Sequence, residues 1–384
     1  MVEAAIVGVG TTDYFRRGQS APRTVNDMAV EAILAALSDS GLTADDIDGF
    51  AYYAHGFDTG WFAQALGIPR IIFSATVTSG GNGSAACIGL AAAAVESRQA
   101  QVVVSVMSIQ QTPDRRFGAS GTMRPATAES DFEAPYGIVS PGHYFALVAR
   151  RHMHEYGTTR DHLFDVVNAQ REYASNRPKS LFKTALSRDE YFNSRMISDP
   201  LCLFDFTMES DGAVAVVTAS VDRARDLRQP PVRILASAMG GDGRWGRGMS
   251  WIGMDDDLFT TAGTEALARE LYGRAGITAD DVDVALLYDH FSPSVLLQLE
   301  DFGFCGRGEG GPFVSEGHTG KNGKIPVNTH GGNLSEAYII GLTHVVEGVE
   351  QIRGTAINQV ERAEIALVTG GPSHIPVGAI LLHR

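Results

Sequence analysis

Two short glycine turns are the positions in this sequence best suited to meet a reacting group: Ser79-Gly80-Gly81-Asn82 in the first half and His330-Gly331-Gly332-Asn333 in the second. A glycine pair at a helix start lets a substrate carbonyl or anion approach bare backbone N–H groups, and the positive helix end adds to their pull. Asn333 with Glu336 three residues on also fits a capping box, in which both side chains satisfy the first free N–H groups of the helix. The three cysteines, Cys87, Cys202 and Cys305, are far apart and in no C-x-x-C spacing, which indicates neither a disulfide framework nor a zinc site. No set of histidines, cysteines and carboxylates has metal-ligand spacing.

The elements around these turns repeat. Gly41-Leu42-Thr43-Ala44-Asp45-Asp46-Ile47-Asp48 returns as Gly276-Ile277-Thr278-Ala279-Asp280-Asp281-Val282-Asp283. Each copy follows a helix-period segment (25–37 or 264–275) and precedes a strand-like run (49–53 or 284–288). The glycine ends its helix in the left-handed region, and Thr-Ala-Asp-Asp starts a short helical turn. At a similar offset, each Gly-Gly-Asn leads into a long apolar helix and then an apolar strand, 101–107 or 364–369. Such units bury their strands on both faces, so an α/β protein with two mixed sheets layered by helices is expected. The halves divide at 1–222 and 223–384, with 221–231 as the connection and the strand 212–218 closing the first half. The first half alone carries an inserted loop and helical segment, about 113–199, with helices over 144–156 and 159–176. An insertion of that length suits a lid or substrate wall.

Composition narrows the partners. The 384 residues are 44% hydrophobic and 20% charged, a globular balance, and the formal net charge is -14. That charge argues against nonspecific binding to nucleic acid or an anionic membrane, while a local basic patch could still hold a phosphorylated ligand. The start has no basic stretch followed by a long apolar run, and no window reaches 18 apolar residues, so a cytoplasmic protein is expected.

The duplicated pattern, with helices starting at Gly-Gly in both halves and Ser210-Asp211-Gly212-Ala213 before the connection, resembles the thiolase superfamily. Leu287-Tyr288-Asp289-His290-Phe291, Phe304-Cys305-Gly306-Arg307-Gly308 and Asn328 through Tyr338 are similar to thiolase-like lipid-transfer proteins of bacterial steroid degradation, some of them retro-aldolases. The resemblance implies a duplicated thiolase fold of five αβαβα layers. It also implies a homodimer and a small partner with an OB-fold and a zinc ribbon. In thiolases the first glycine-turn helix begins with a nucleophilic cysteine, and the matching place here is about Gly81. The C-terminal thiolase cysteine is also missing, with Val368-Thr369-Gly370-Gly371-Pro372 in its stead. Cys87, six residues past Gly81 in the helix body, fits a small buried apolar side chain better than a nucleophile.

Acyl transfer through an enzyme thioester needs a thiolate; a retro-aldol cleavage does not. It needs a base for a β-hydroxyl proton, donors for the enolate of the departing thioester, and an acid for its carbon. The resemblance assigns the catalytic positions to a pair of tyrosines, here Tyr288 and Tyr338, the second on the helix after the second glycine turn. With an unperturbed pKa near 10, only about one phenol in a thousand is ionised at pH 7. Lowering it by roughly 2 units takes about 2.7 kcal/mol, which a helix N-terminus plus protonated His290 or His330 could give. One tyrosine would donate to an oxyanion and the other handle the hydroxyl proton, the assignment being open.

His290, His330, His344 and His374 are the cavity histidines by proximity to these motifs, with His330 preferred, and Asp289 is either a histidine's partner or a solvated strand end. Gly81, Asn82, Gly332, Asn333 and His374 are placed at the substrate, and Tyr136, within a resembling Ala134-Pro135-Tyr136-Gly137, at the tunnel wall. A coenzyme A thioester, as substrate and with no permanently bound cofactor, would be met by a basic patch of Arg115, Arg116, Arg124, Lys179 and Lys183. The function expected is retro-aldol cleavage of a β-hydroxyacyl-CoA with a bulky, steroid-like side chain. The alternatives are a non-catalytic acyl-CoA-binding subunit of a complex and an acyltransferase using Cys87.

Overall fold

The computed structural model describes residues 2–54, 57–111, 131, 133–245 and 253–384. The first half runs β1 (Ala4–Thr11), α1 (Val25–Ser40), β2 (Gly49–Tyr53), β3 (Phe73–Val77), α2 (Ser84–Glu96) and β4 (Val102–Ile109). The insertion contributes α3 (Pro141–Tyr156) and α4 (Arg160–Ser175), and β5 (Ser210–Ser220) closes the half. The second half runs β6 (Val232–Gly240), α5 (Glu265–Ala275), β7 (Val284–Leu286), α6 (Ser292–Asp301), α7 (Gly332–Ser335), α8 (Leu342–Arg353), β8 (Ile365–Thr369) and β9 (Val377–His383).

The first half-sheet has the order β3-β2-β4-β5-β1 and the second β7-β8-β9-β6. In both, parallel pairs (β2 with β3 and β4; β7 with β8) give way to antiparallel ones. The two half-sheets are parts of one continuous mixed sheet, joined through two residue pairs of β1 and β6, Ala5 with Arg233 and Ile6 with Val232. The central strands are apolar on both faces because both faces are covered: every residue of β4 and all but the last of β5 are buried. Helices α2 and α8 pack between the half-sheets, α1 covers the outside of the first and α5 the outside of the second, which makes five layers.

The repeated octapeptides fold alike. Gly41 and Gly276 take φ of 82° and 69°, the left-handed helix ending that glycine alone adopts without strain. Thr43 and Thr278 then donate their backbone N–H to Asp46 and Asp281, both at 2.8 Å.

One expected element is different. The helix after the second glycine turn is not continuous: α7 has four residues, and α8 begins at Leu342. Between them Ile340 and Gly341 take φ of 48° and 85°, which a right-handed helix cannot pass through. Tyr338 therefore sits in a break rather than on a helix. Its backbone bridges to Glu209, and its N–H donates to Ser210 Oγ at 3.1 Å. The inserted α3 and α4 pack on α6 and α4 also on α7, so the insertion covers the face on which this break lies.

Candidate active site

Tyr288 follows β7 and is held by its backbone. Its N–H donates to Thr369 Oγ1 at 3.0 Å, and its carbonyl accepts from Gln298 Nε2 at 2.7 Å. Its ring fills space that three glycines leave open. A Cβ added at Gly81 would lie 1.9 Å from the Tyr288 hydroxyl oxygen, one at Gly341 2.4 Å from Cε2, and one at Gly371 2.8 Å from Cδ1. Both glycine turns lack room for a Cβ, which at Gly332 would lie 2.1 Å from Asp289 Oδ2, but they differ in backbone. Gly331 and Gly332 need left-handed backbone, with φ of 99° and 63°, whereas Gly81 needs only the absence of a side chain.

The Tyr288 hydroxyl donates to the Tyr338 hydroxyl at 3.2 Å, and both residues are buried. Burial raises the pKa of each. For Tyr288 the neighbouring Tyr338 raises it further, while the bond received from Tyr288 works to lower that of Tyr338. A third phenol, Tyr53 at the end of β2, donates to the Ile340 carbonyl at 2.8 Å. Sequence reasoning passed over Tyr53, because nothing in a strand-end tyrosine signals a contact to a residue 287 positions away. Cys87 is fully buried in α2, and burial pushes its thiol up to about 12, so it offers no thiolate.

The expectation of a protonated histidine beside a tyrosine is corrected. His290 lies 5.3 Å from Tyr288 between ring centroids, but burial lowers its pKa to about 3. Burial, then His344, lowers that of His330 well below the usual value. Both imidazoles are neutral, and none of their ring nitrogens finds a hydrogen-bond partner among the described residues. His330 instead packs edge-on against His344 at 4.6 Å. His344, named from sequence only by proximity, is tied to Asp289: its Nε2 is 3.0 Å from Asp289 Oδ1 and its ring stacks over Tyr288 at 6.0 Å.

Asp289 is fully buried, not a solvated strand end. Its carboxylate accepts the N–H groups of Asn333 and Leu334 at 2.9 and 3.0 Å, capping α7 from a distant part of the chain. This overturns the capping box of Asn333 and Glu336. Asn333 is buried with its side-chain amide unpaired among the described residues, and Glu336 receives Arg177 Nε at 2.7 Å. Asn82 spends its amide N–H groups on the Pro376 and His374 carbonyls at 2.6 and 3.2 Å, leaving Oδ1 unpaired. That contact brings the His374 backbone to the first turn. Ser84 Oγ, also buried and unpaired, lies 3.0 Å from where a Cβ at Gly341 would be, on the side of Tyr288.

Of the other residues chosen from sequence, the described ones Tyr136, Lys179 and Lys183 are not gathered here. Tyr136 is 76% exposed on a short helical turn. Lys179 is bound to Thr11 and Thr12, and Lys183 is exposed. Arg115, Arg116 and Arg124 lie outside the described residues.

The family model described as Thiolase C-terminal domain-like matches residues 248–380. Over 387 residues the chain is 38% identical to the 17-hydroxy-3-oxo-4-pregnene-20-carboxyl-CoA lyase of Mycobacterium tuberculosis, covering 99% of each. It is 35% identical to the steroid side-chain-cleaving aldolase of Thermomonospora curvata, covering 99% of this chain and 97% of the other. The chain belongs to the steroid side-chain-cleaving aldolases of the thiolase superfamily. The structure of the Ltp2-ChsH2(DUF35) aldolase superposes with a TM-score of 0.90 at 35% identity, covering 100% of this chain and 98% of that one. A monomeric SCP2-thiolase like protein of Mycobacterium smegmatis shares the fold, with a TM-score of 0.74 at 19% identity over 99% of this chain and 77% of that one. In this aldolase the volume beside Gly81 is occupied by the phenol of Tyr288.

Proposed function

We propose that this aldolase cleaves the carbon–carbon bond of a β-hydroxyacyl-CoA bearing a steroid side chain, giving a ketone or aldehyde and a shorter acyl-CoA, with Tyr288 and Tyr338 carrying the proton. The observation that carries the reading is the 3.2 Å contact of two buried phenols beside Gly81, the place to which the thiolase resemblance assigns the nucleophile. The relatives that are lyases and aldolases by name, similar along the whole chain, support it.

A phenolate base is the costlier route. Ionising an ordinary phenol at pH 7 takes about 4 kcal/mol, and burial here adds to that. A relay avoids it. The β-hydroxyl proton passes to the Tyr288 oxygen, the Tyr288 proton passes along its hydrogen bond to Tyr338, and the Tyr338 proton goes to the α-carbon of the thioester. Meanwhile the O–H electron pair forms the new carbonyl, the bond between the α- and β-carbons breaks, and its electrons form the enolate that Tyr338 protonates. Both phenols begin and end neutral. The unpaired amide of Asn333 and the hydroxyl of Ser84 are the donors available to the enolate oxygen.

Coenzyme A enters only as part of the substrate. We carry the small OB-fold and zinc-ribbon partner as part of the proposal, supported by the two-component name of the Ltp2-ChsH2(DUF35) aldolase. The homodimer rests on the thiolase resemblance. A cytoplasmic location is proposed with it; no helix among the described residues is long and apolar enough to cross a membrane. The deciding experiment incubates the purified chain, with and without such a partner, with a steroid β-hydroxyacyl-CoA and follows both products by mass spectrometry. Appearance of ketone or aldehyde and shorter acyl-CoA in equal amounts supports the lyase. Thioester binding without cleavage in either preparation would instead establish a binding subunit.

A further inference from the structure

The break that carries Tyr338 depends on a residue from the other half of the molecule. Ile340 has φ of 48°, a left-handed conformation that crowds a β-branched side chain, and nothing in its own sequence neighbourhood favours it. The compensation comes from Tyr53, whose hydroxyl donates to the Ile340 carbonyl at 2.8 Å. Tyr53 is fully buried at the end of β2, and its Cβ would stand 3.0 Å from a Cβ placed at Gly83, so the first glycine turn packs against its base. The same side chain therefore touches the turn that makes room for Tyr288 and the break that presents Tyr338. Ile340 is two residues from Tyr338, and Gly341 beside it lies against the Tyr288 ring.

We infer that Tyr53 is a positioning residue for carbon–carbon cleavage: its hydrogen bond holds residues 336–341 in the broken, left-handed course that keeps the Tyr338 hydroxyl within reach of the Tyr288 hydroxyl. The inference rests on the proposed tyrosine relay. Packing alone does not require a hydroxyl here, since phenylalanine would fill the same apolar volume. What separates the two side chains is the hydroxyl, which donates to the Ile340 carbonyl and meets the Leu342 backbone N–H at the start of α8.

The test is a double-mutant cycle on the full chain with its partner. Tyr53→Phe is expected to lower kcat about tenfold, the weight of one hydrogen bond at the upper end of its usual range, with KM unchanged within twofold. In a Tyr338→Phe background the same substitution is expected to cause no further loss, because the residue through which it acts is already gone. A Tyr53→Phe enzyme with wild-type kcat overturns the inference, as does an equal loss in both backgrounds or a rise in KM that accounts for the whole effect. Tyr338→Phe retaining near wild-type kcat would instead sink the relay itself, an outcome read from the single variant alone.

Discussion

The hydroxyl of Tyr288 donates to the hydroxyl of Tyr338 across 3.2 Å, in a site where burial raises the pKa of both. The direction of that bond matters more than its length. It makes Tyr288 the member that can pass its proton on as it receives another, and Tyr338 the member that ends the chain of transfers. Neither phenol has to ionise, which removes the need for the cationic histidines that the buried, neutral His290 and His330 do not supply.

A relay of neutral phenols predicts symmetric damage. Tyr288→Phe and Tyr338→Phe should each lower kcat by roughly 10²–10⁴, the ordinary range for lost acid–base catalysis, with thermal midpoints near that of the parent. It also predicts a flat profile: kcat should be constant from about pH 6 to 9, because the phenols titrate above their usual value near 10 and the histidines below theirs. A limb of unit slope through that interval in the wild-type enzyme would mean a titrating base and would reject the relay.

Gly81→Ala should be disabling for a purely spatial reason. The new methyl would meet the Tyr288 oxygen at 1.9 Å, far inside contact distance, so the phenol has to shift from where it stands. We expect at least a hundredfold loss of kcat, in keeping with what about 1 Å of misplacement costs in oriented catalysis, with circular dichroism unchanged. Near-parental turnover in this variant would show that the phenol is not needed where it stands.

Much of this architecture is local and was therefore legible. The octapeptide copies at Gly41 and Gly276 carry their own left-handed glycine and their own threonine and aspartate cap, so no distant residue has to be known. The two tyrosines came from motifs. What escaped the sequence is what distant residues impose. Glu-Ala-Tyr-Ile-Ile-Gly has the apolar texture of a continuing helix, yet Tyr53 and the Tyr288 ring turn it aside at Ile340 and Gly341. Asn333 and Glu336 have the spacing of a capping box, yet Asp289, 44 residues earlier, caps that turn first. Histidine charge could not be read either, because burial is a property of the folded chain.

Cys87 should prove dispensable. With its thiol pushed up to about 12, roughly one molecule in 10⁵ carries the thiolate at pH 7, and the sulfur is spent on the Ser84 carbonyl at 3.2 Å. Cys87→Ala is expected to keep kcat within twofold while losing about 1 kcal/mol of stability to the small cavity. Iodoacetamide on the native protein should leave the residue unmodified by peptide mass mapping. Loss of turnover in Cys87→Ala at unchanged stability would restore the acyltransferase reading.

The last prediction concerns the ion cluster behind the break. Arg177 reaches Glu336 Oε1 at 2.7 Å and Glu347 Oε2 at 2.8 Å. Burial first, moderated by Arg177 and reinforced by Glu347, pushes Glu336 up to about 7; burial and Glu347 do the same to Glu350 against the pull of Arg177. A carboxyl whose pKa is higher folded than unfolded binds its proton more tightly in the native state. Its stabilising contribution is complete below the unfolded value near 4.3 and is lost as pH rises to about 7. These two groups should therefore lower the thermal midpoint as pH increases across that window. Glu336→Gln removes one of them and should flatten the slope, whereas Arg177→Met leaves Glu336 and Glu347 buried without a cation and should cost about 3–5 kcal/mol at pH 7. Thermal midpoints of the parent and both variants at a series of pH values between 4.5 and 8 decide it. An unchanged slope in Glu336→Gln would mean that this carboxyl titrates alike in the folded and unfolded chain.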